Sequence, residues 1–199
     1  MKILIAVPTF ENISVECFKA IYDLDKCEHD VTFTSVKGYD CAKARNVISK
    51  KAIDGAYDYV LMIDSDTIVP QDALRNMLEG DADLVLGCVP KKSNPNESVL
   101  FSSRLNKKGE GFHSLIPFDE LCGTDRIDLK GGGFGCALLN TKVFAALKYP
   151  YFKYVSYESG SALSEDLYFC RELKNAGFKI ECDPRVKCGH LAKHVLHGE

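Results

Sequence analysis

Two aspartates separated by one serine, Asp64-Ser65-Asp66, directly follow the apolar run of residues 57–63. The run is typical of a buried strand, and ligands bind beyond the carboxyl ends of strands in open α/β sheets. Extended backbone directs side chains two residues apart to the same side, so the two carboxylates are expected side by side. Paired carboxylates suit Mg²⁺ or Mn²⁺, and such a cation can also hold the phosphate oxygens of a substrate. The stretch therefore predicts a divalent-cation site.

Two other interpretations of the aspartate pair remain open. Asp64 could end the strand while Asp66 caps a turn before Pro70. The pair could also transfer phosphoryl groups in the manner of haloacid dehalogenases, which carry D-x-D-x-T after their first strand. Here Ile68 occupies the threonine position and the strand is the third, so the mismatch counts against phosphoryl transfer.

Strands and helices alternate through the first half of the chain. Apolar periodicity and turn residues predict strands over 2–7, 31–36, 57–63 and 83–89, and helices over 14–24, 40–53 and 70–78. Asp40 is the expected N-cap of the second helix, and Pro70 is expected in the first turn of the third. This order predicts an α/β fold with a mostly parallel, Rossmann-like sheet flanked by helices.

The regular alternation ends after residue 90. Short strands are expected over 99–105 and 126–129, then a strand over 134–140 and a helix over 141–148. Residues 149–163 read as an aromatic loop, Ser164 as the N-cap of a helix to residue 175, and 178–182 and 186–190 as strands. We expect a single domain over 1–199, with a nucleotide-binding half (1–90) and an acceptor and catalytic half (91–199).

Composition excludes several classes of protein. The chain has 199 residues and a net charge of −3, so no general attraction to nucleic acid or to an anionic membrane is expected. No apolar run approaches the ~20 residues of a membrane span, and the start lacks the features of a signal peptide. The nine cysteines are odd in number and form no C-x-x-C pair, which favours reduced thiols and a cytoplasmic location.

Several stretches, in order, resemble one enzyme family. They are IAVPTFE, KARNVISKKAIDGAYDYVLMIDSD, GGGFGCALLNTKVF, SEDLYFCRELKNAGFKI and CGH, spanning Ile3 to His190. Together they resemble family-two glycosyltransferases and relatives with the nucleotide-sugar-binding GT-A fold. The resemblance is diffuse over residues 91–129, which with 149–163 are expected to select the acceptor. It implies a nucleoside-diphosphate sugar as donor, a hydroxyl acceptor of unknown identity, and Mn²⁺ or Mg²⁺ as cofactor.

The resemblance also implies roles for individual residues. The implied donor-binding residues are Pro8, Thr9, Glu11, Arg45, Asp64, Ser65, Gly132 and Gly133. Within this set, Arg45 would lie near the diphosphate, and Asp64 would contact the sugar and ribose or join the metal shell. Asp66 and His190 would hold the cation. Asp166, in the Glu165-Asp166 pair, would be the base of an inverting displacement.

Some alternatives stay open at this level. Residues 34–40 lack the early acid with which many family members read the base, so the nucleotide is not identified. A retaining mechanism, a nucleotidyltransferase and a non-catalytic nucleotide-sugar-binding module are all compatible with the fold. Arg45 could lie on a solvated helix face, and Glu165 and Asp166 could only cap a helix. A zinc site built from Cys182, Cys188 and the terminal histidines fits no known spacing.

Overall fold

The structure is a computed structural model that describes residues 1–105 and 111–192 of the chain. The predicted α/β architecture is confirmed. The strands in chain order are Lys2–Thr9 (β1), Asp30–Lys37 (β2), Tyr59–Ile63 (β3), Thr67–Ile68 (β4), Leu84–Cys88 (β5), Glu97–Leu105 (β6), Gly111–Pro117 (β7), Ile127–Asp128 (β8), Gly131–Gly132 (β9), Cys136–Asn140 (β10), Val155–Ser156 (β11), Ala162–Leu163 (β12), Ile180–Lys187 (β13) and Gly189–His190 (β14). The α-helices are Val15–Tyr22 (α1), Cys41–Asp54 (α2), Ala73–Leu78 (α3) and Glu165–Asn175 (α4), and Phe118–Glu120 and Thr141–Ala145 form 3₁₀ helices.

A seven-stranded sheet forms the centre, in the order β2-β1-β3-β10-β5-β13-β8. Strands β2, β1 and β3 are mutually parallel, and β5 is parallel to β13. Strand β10 lies antiparallel between β3 and β5, and β8 lies antiparallel on β13. The sheet is therefore mostly parallel, with one antiparallel strand inserted between two strands that are consecutive long strands in the sequence.

Alternating apolar residues bury both faces of this sheet. In β1, Leu4 and Ala6 face a core that contains residues of α2 and α4, whereas Ile3, Ile5 and Val7 face a second core with residues of α1 and α3. Strands covered on both faces are expected to be continuously apolar, as β1 and β3 are. The carboxyl ends of β1, β3 and β5 are left at one edge, where the loops carry polar side chains.

Several predicted elements differ from the structure. The third helix begins at Ala73 and not at Pro70, because the Ala73 amide donates to the Pro70 carbonyl in a preceding turn (3.1 Å). The helix predicted over 141–148 is a 3₁₀ helix, Thr141–Ala145, closed by i to i+3 hydrogen bonds. The strand predicted over 178–182 is the first part of β13, which continues to Lys187 through a register irregularity around Pro184, where a missing amide donor is tolerated. The strand predicted over 186–190 is divided between the end of β13 and the separate strand β14.

All nine cysteines are free, in agreement with the predicted reduced thiols. None of the helices within residues 1–105 and 111–192 combines the length and the apolar content that crossing a membrane requires.

An aromatic cluster joins three segments that surround the candidate site. Phe152 stacks on Phe169 of α4 with ring centroids 4.3 Å apart, and Phe134 meets Phe152 edge-on at 5.5 Å. All three side chains are at most 1% exposed. The cluster fixes the loop around residue 152, the start of β10 and helix α4 relative to one another.

Truncating the centre of this cluster should destabilise the whole domain. Phe152→Ala is expected to lower the free energy of unfolding by about 3–5 kcal/mol, because it leaves a cavity among stacked rings. Urea denaturation would measure the change, with the 71%-exposed Phe10 changed to alanine as a control that stays within about 0.5 kcal/mol. Equal effects of the two substitutions would contradict this packing.

Candidate active site

The segment Asp64-Ser65-Asp66 forms a tight turn, the DSD turn, at the end of β3. The Thr67 amide donates to the Asp64 carbonyl at 3.0 Å, which closes the turn over residues 64–67. The expectation of extended backbone with both carboxylates on the same side is therefore wrong. Asp64 and Asp66 turn to different partners, so the two acids divide into two neighbouring parts of the site.

Neighbouring elements hold this turn from its backbone. The Ser14 amide, at the N-cap of α1, donates to the Ser65 carbonyl at 3.0 Å, and the Cys17 thiol donates to the Asp64 carbonyl at 3.3 Å. On the other side the Asp64 amide donates to the Gly135 carbonyl at 3.0 Å. Because these contacts use backbone atoms, the carboxylates of the turn remain available to side chains and ligands.

Arg45 connects Asp64 to the start of helix α4. Its Nη2 donates to Asp64 Oδ1 at 2.9 Å, its Nη1 donates to Glu165 Oε1, and its Cζ lies 5.5 Å from the centroid of the Phe134 ring. The residue is 2% exposed, so it does not lie on a solvated helix face. The guanidinium is the link between the end of β3, helix α2 and helix α4.

Arg45, Asp64 and Glu165 form a charged triad, and burial changes the pKa of both acids. Burial raises the pKa of Asp64, while Arg45 acts in the opposite direction and the charge of Asp66 raises the pKa further. Burial also raises the pKa of Glu165, again opposed by Arg45. One arginine thus neutralises only part of the acidic charge that gathers here, which favours a further cation at the site.

Asp66 lies between two basic side chains. Lys92, in the loop after β5, donates its Nζ to Asp66 Oδ2, and the Nε2 atom of His190 lies 3.6 Å from Asp66 Oδ1. His190, followed by Lys92, lowers the pKa of Asp66 to about 2, and Asp66 raises the pKa of His190. The Asp66 carboxylate is therefore held ionised.

A short antiparallel ladder brings His190 to the turn. Strand β14 pairs with β4, with His190 opposite Thr67, and the Leu191 amide donates to the Asp66 carbonyl at 2.9 Å. The Nδ1 atom of His190 lies 2.8 Å from the Pro90 carbonyl oxygen. Since a carbonyl only accepts, Nδ1 carries the proton in the neutral ring, and the Nε2 lone pair faces Asp66.

The donor set of Asp66 and His190 fits Mn²⁺ or Mg²⁺. The Asp66 carboxylate faces Nε2 of His190, and in the neutral ring the Pro90 carbonyl fixes the tautomer that leaves Nε2 free to bind a metal, as is common for histidine ligands. Among the residues that the structure describes, no group of three or more His, Cys, Asp or Glu residues is arranged to hold a metal ion. A cation here would therefore depend on water or substrate oxygens for its other ligands.

Asp166 occupies a different position from its neighbour Glu165. Its Oδ1 accepts from the Ser164 hydroxyl and, at 2.7 Å, from the Leu167 amide. Its Oδ2 lies 3.5 Å from the place where a Cβ at Gly133 would be. Asp166 is half-buried, whereas Glu165 is 5% exposed and bound to Arg45, so the two acids cannot share one chemical role.

The glycines before β10 also differ from each other. A Cβ at Gly132 would lie 2.8 Å from the side chains of Leu100 and Leu86, so Gly132 faces the apolar core. Gly133 is half-buried, and a Cβ there would lie 3.0 Å from Val99 Cγ2 and 3.5 Å from Asp166 Oδ2. Of the two predicted donor-binding glycines, Gly133 is thus the one beside Asp166.

The first loop follows β1, next to the end of β3. Pro8 and Thr9, predicted in this loop, are the buried last residues of β1, and the Thr9 hydroxyl donates to the Asn12 carbonyl of the loop at 2.8 Å. Glu11 is exposed. The structure places this loop beside the DSD turn, since β1 and β3 are parallel neighbours.

Two groups at the site were not predicted from the sequence. Lys92 and the Pro90 carbonyl lie in the loop after β5, next to Asp66 and His190. The signal was present, because a lysine pair directly after a buried strand falls at the ligand-binding edge of an α/β sheet.

No protein-family model matches the chain. Among curated proteins, the poly-beta-1,6-N-acetyl-D-glucosamine synthase of Staphylococcus epidermidis is 26% identical over 183 residues. The match covers 89% of this chain and 40% of that protein, so the chain spans less than half the length of its relative.

Three solved structures share the fold. GalNAc-T7 with UDP, GalNAc and Mn²⁺ has a TM-score of 0.62 and 10% identity, covering 96% of this chain and 43% of that one. TarS 1-349 of S. aureus has a TM-score of 0.56 and 15% identity, covering 96% and 60%. A197 from STIV has a TM-score of 0.59 and 14% identity, covering 100% and 98%.

The fold is therefore GT-A. The resemblance to family-two-like glycosyltransferases that the sequence motifs predicted is confirmed.

Removing Arg45 should be far more costly than removing a neighbouring surface cation. Arg45→Met is expected to destabilise the protein by about 3–5 kcal/mol, because Asp64 and Glu165 lose their shared partner while partly or fully buried. Chemical denaturation would measure the loss. Lys43→Met, which removes an exposed cation of the same helix, is the control and should change stability by less than about 1 kcal/mol. An Arg45 variant as stable as the Lys43 variant would show that the triad contributes little.

Proposed function

We propose that this chain transfers a sugar from a nucleoside-diphosphate sugar to an acceptor hydroxyl, with Mn²⁺ or Mg²⁺ held by Asp66 and His190. The observation that carries the proposal is that Arg45 joins the DSD turn, in which Asp66 faces His190 of β14, to the start of α4, where Asp166 is half-buried. The GalNAc-T7 structure contains UDP and Mn²⁺, which supports the same donor and cofactor class for this chain.

Asp66 and His190 would provide one carboxylate oxygen and one imidazole nitrogen to the cation. A divalent cation bound there would stabilise the negative charge that develops on the leaving diphosphate. Asp64, fixed by Arg45, would border the donor sugar and ribose from the same turn. Pro8 and Thr9, at the end of β1, and Glu11, in the loop that follows, would border the nucleotide.

Asp166 would accept the proton of the acceptor hydroxyl as this attacks the anomeric carbon. Its Oδ1 is fixed by Ser164 and Leu167, whereas Oδ2 lies beside Gly133. The Asp166 carboxylate would serve as the general base of this step. Direct displacement with this base would invert the anomeric centre.

Glu165 and Arg45 would act as positioning residues. Glu165 is buried against Arg45, so it would orient the first turn of α4 without touching substrate. Both terminal nitrogens of Arg45 are bound to carboxylates, so it would influence the diphosphate through Asp64 and not by direct contact. Gly133 would allow the sugar to approach the backbone, and Gly132 would contribute through packing.

Donor binding is the first test of this proposal. Calorimetric titration with UDP-, GDP-, CMP- and dTDP-sugars should reveal one donor that binds with Mn²⁺ and at least about tenfold more weakly without it, because a cation held by Asp66 and His190 would attract the negative charge of the diphosphate. Asp66→Ala should abolish the metal-dependent part of this binding. Absence of binding by every donor in the presence of Mn²⁺ would refute the proposed function.

The substitution Asp166→Asn distinguishes an enzyme from a protein that only binds the donor. Asp166→Asn should keep the donor affinity within about threefold but lower the release of nucleoside diphosphate by about 10²–10⁴-fold, since only the base is removed. Coupled detection of the nucleotide product, with a panel of sugar acceptors, would measure this rate. Glu172→Gln changes a half-buried acid of the same helix that pairs with Arg171; it is the matched control and should leave the rate unchanged. Equal rates for wild type and Asp166→Asn would favour a non-catalytic nucleotide-sugar-binding module or another base.

A further inference from the structure

Lys92 occupies the place beside Asp66 where a divalent cation would bind. Its ammonium contacts Asp66 Oδ2, while Asp66 Oδ1 faces the Nε2 atom of His190 at 3.6 Å. Both oxygens of the carboxylate are therefore engaged. A metal ion that used Asp66 and His190 as ligands would meet the positive charge of Lys92 within the same small space.

The neighbouring lysine does not compete for this position. Lys91 Nζ pairs with Glu97 at 2.8 Å, and the Lys91 amide donates to the Glu97 carbonyl at 2.9 Å, so this residue is tied to β6. Lys92 carries the same charge, one position later, but its side chain turns to Asp66. The loop after β5 thus holds one lysine for structure and presents the other to the candidate metal site.

The ion pair between Lys92 and Asp66 is weak enough to dissociate. The Lys92 side chain is 45% exposed and that of Asp66 is 36% exposed, and ion pairs at such positions are weak and screened by water. A lysine also has a long flexible stem and a compact ammonium that binds phosphate oxygens well. When a diphosphate lies against the cation, Lys92 has a new anionic partner within reach of the same loop.

We propose that the Lys92 ammonium competes with a divalent cation for the Asp66 carboxylate, so that the cation binds tightly only together with a diphosphate that pairs with Lys92. This inference rests on the proposed function and deepens it, because it makes metal and donor binding mutually dependent. Metal alone must displace Lys92 without compensation. When a nucleoside diphosphate binds together with the metal, the displaced Lys92 ammonium pairs with the diphosphate. Each ligand therefore raises the affinity of the protein for the other.

The test is a titration with Mn²⁺ alone, followed by electron paramagnetic resonance of the free ion. Lys92→Met should bind Mn²⁺ about threefold to tenfold more tightly than wild type, because the competing ammonium is gone. Lys91→Met removes the same charge one residue earlier and should leave the affinity unchanged. Combining Lys92→Met with Asp66→Ala should abolish the gain, which shows that the tighter site is the one at Asp66.

The second measurement repeats the titration with saturating UDP or GDP. In wild type the nucleotide should raise the Mn²⁺ affinity, and in Lys92→Met this enhancement should be smaller by at least about threefold. Equal Mn²⁺ affinities of wild type and Lys92→Met, or an enhancement that survives the substitution intact, would overturn the inference.

The outcomes also distinguish this inference from the proposed function. If wild type binds a donor with Mn²⁺ and Lys92→Met behaves like wild type in both titrations, the proposed function stands and the competing role of Lys92 is refuted. If Lys92→Met binds Mn²⁺ more tightly but no nucleotide binds either protein, the competition at Asp66 is supported and the proposed function and the pairing of Lys92 with a diphosphate are both refuted.

Discussion

The buried guanidinium of Arg45 is the interaction on which the geometry of the candidate site depends. It binds Asp64 at the end of β3 and Glu165 at the start of α4, two positions far apart in the chain. Taking one cation and two carboxylates out of water is costly, and the cost is offset only when their geometry is well satisfied. The arrangement therefore gives conformational specificity: the strand end and the helix start have one relative position in which these charges are paired.

This constraint explains how neighbouring acids have different environments. Glu165 is paired with Arg45. Asp166, one residue later on the same helical turn, has one carboxylate oxygen beside Gly133. In the DSD turn, likewise, Asp64 is bound to Arg45 and Asp66 faces outward to Lys92 and His190. Each acidic pair thus supplies one member to the framework and one member to the surface at which a ligand would bind.

Local patterns in the sequence predicted much of this arrangement, because strand ends and helix starts have local signals. The DSD turn after an apolar run and the acids after Ser164 lie where the sequence placed them. The antiparallel insertion of β10 between β3 and β5 could not be predicted, since periodicity shows that a strand exists but not its neighbours. The burial of Arg45 escaped prediction for a related reason: its partners are brought to it only by tertiary packing.

The β4–β14 ladder has a consequence for the order in which the site can be assembled during synthesis. It joins the DSD turn, made early in the chain, to His190, which emerges from the ribosome much later. Until that late segment pairs with β4, the nascent chain has the acidic turn without its histidine. A metal ion therefore could not act as an early template for folding through this pair of residues, and a metal bound by both residues, as proposed, would mark a chain whose late strands have already docked.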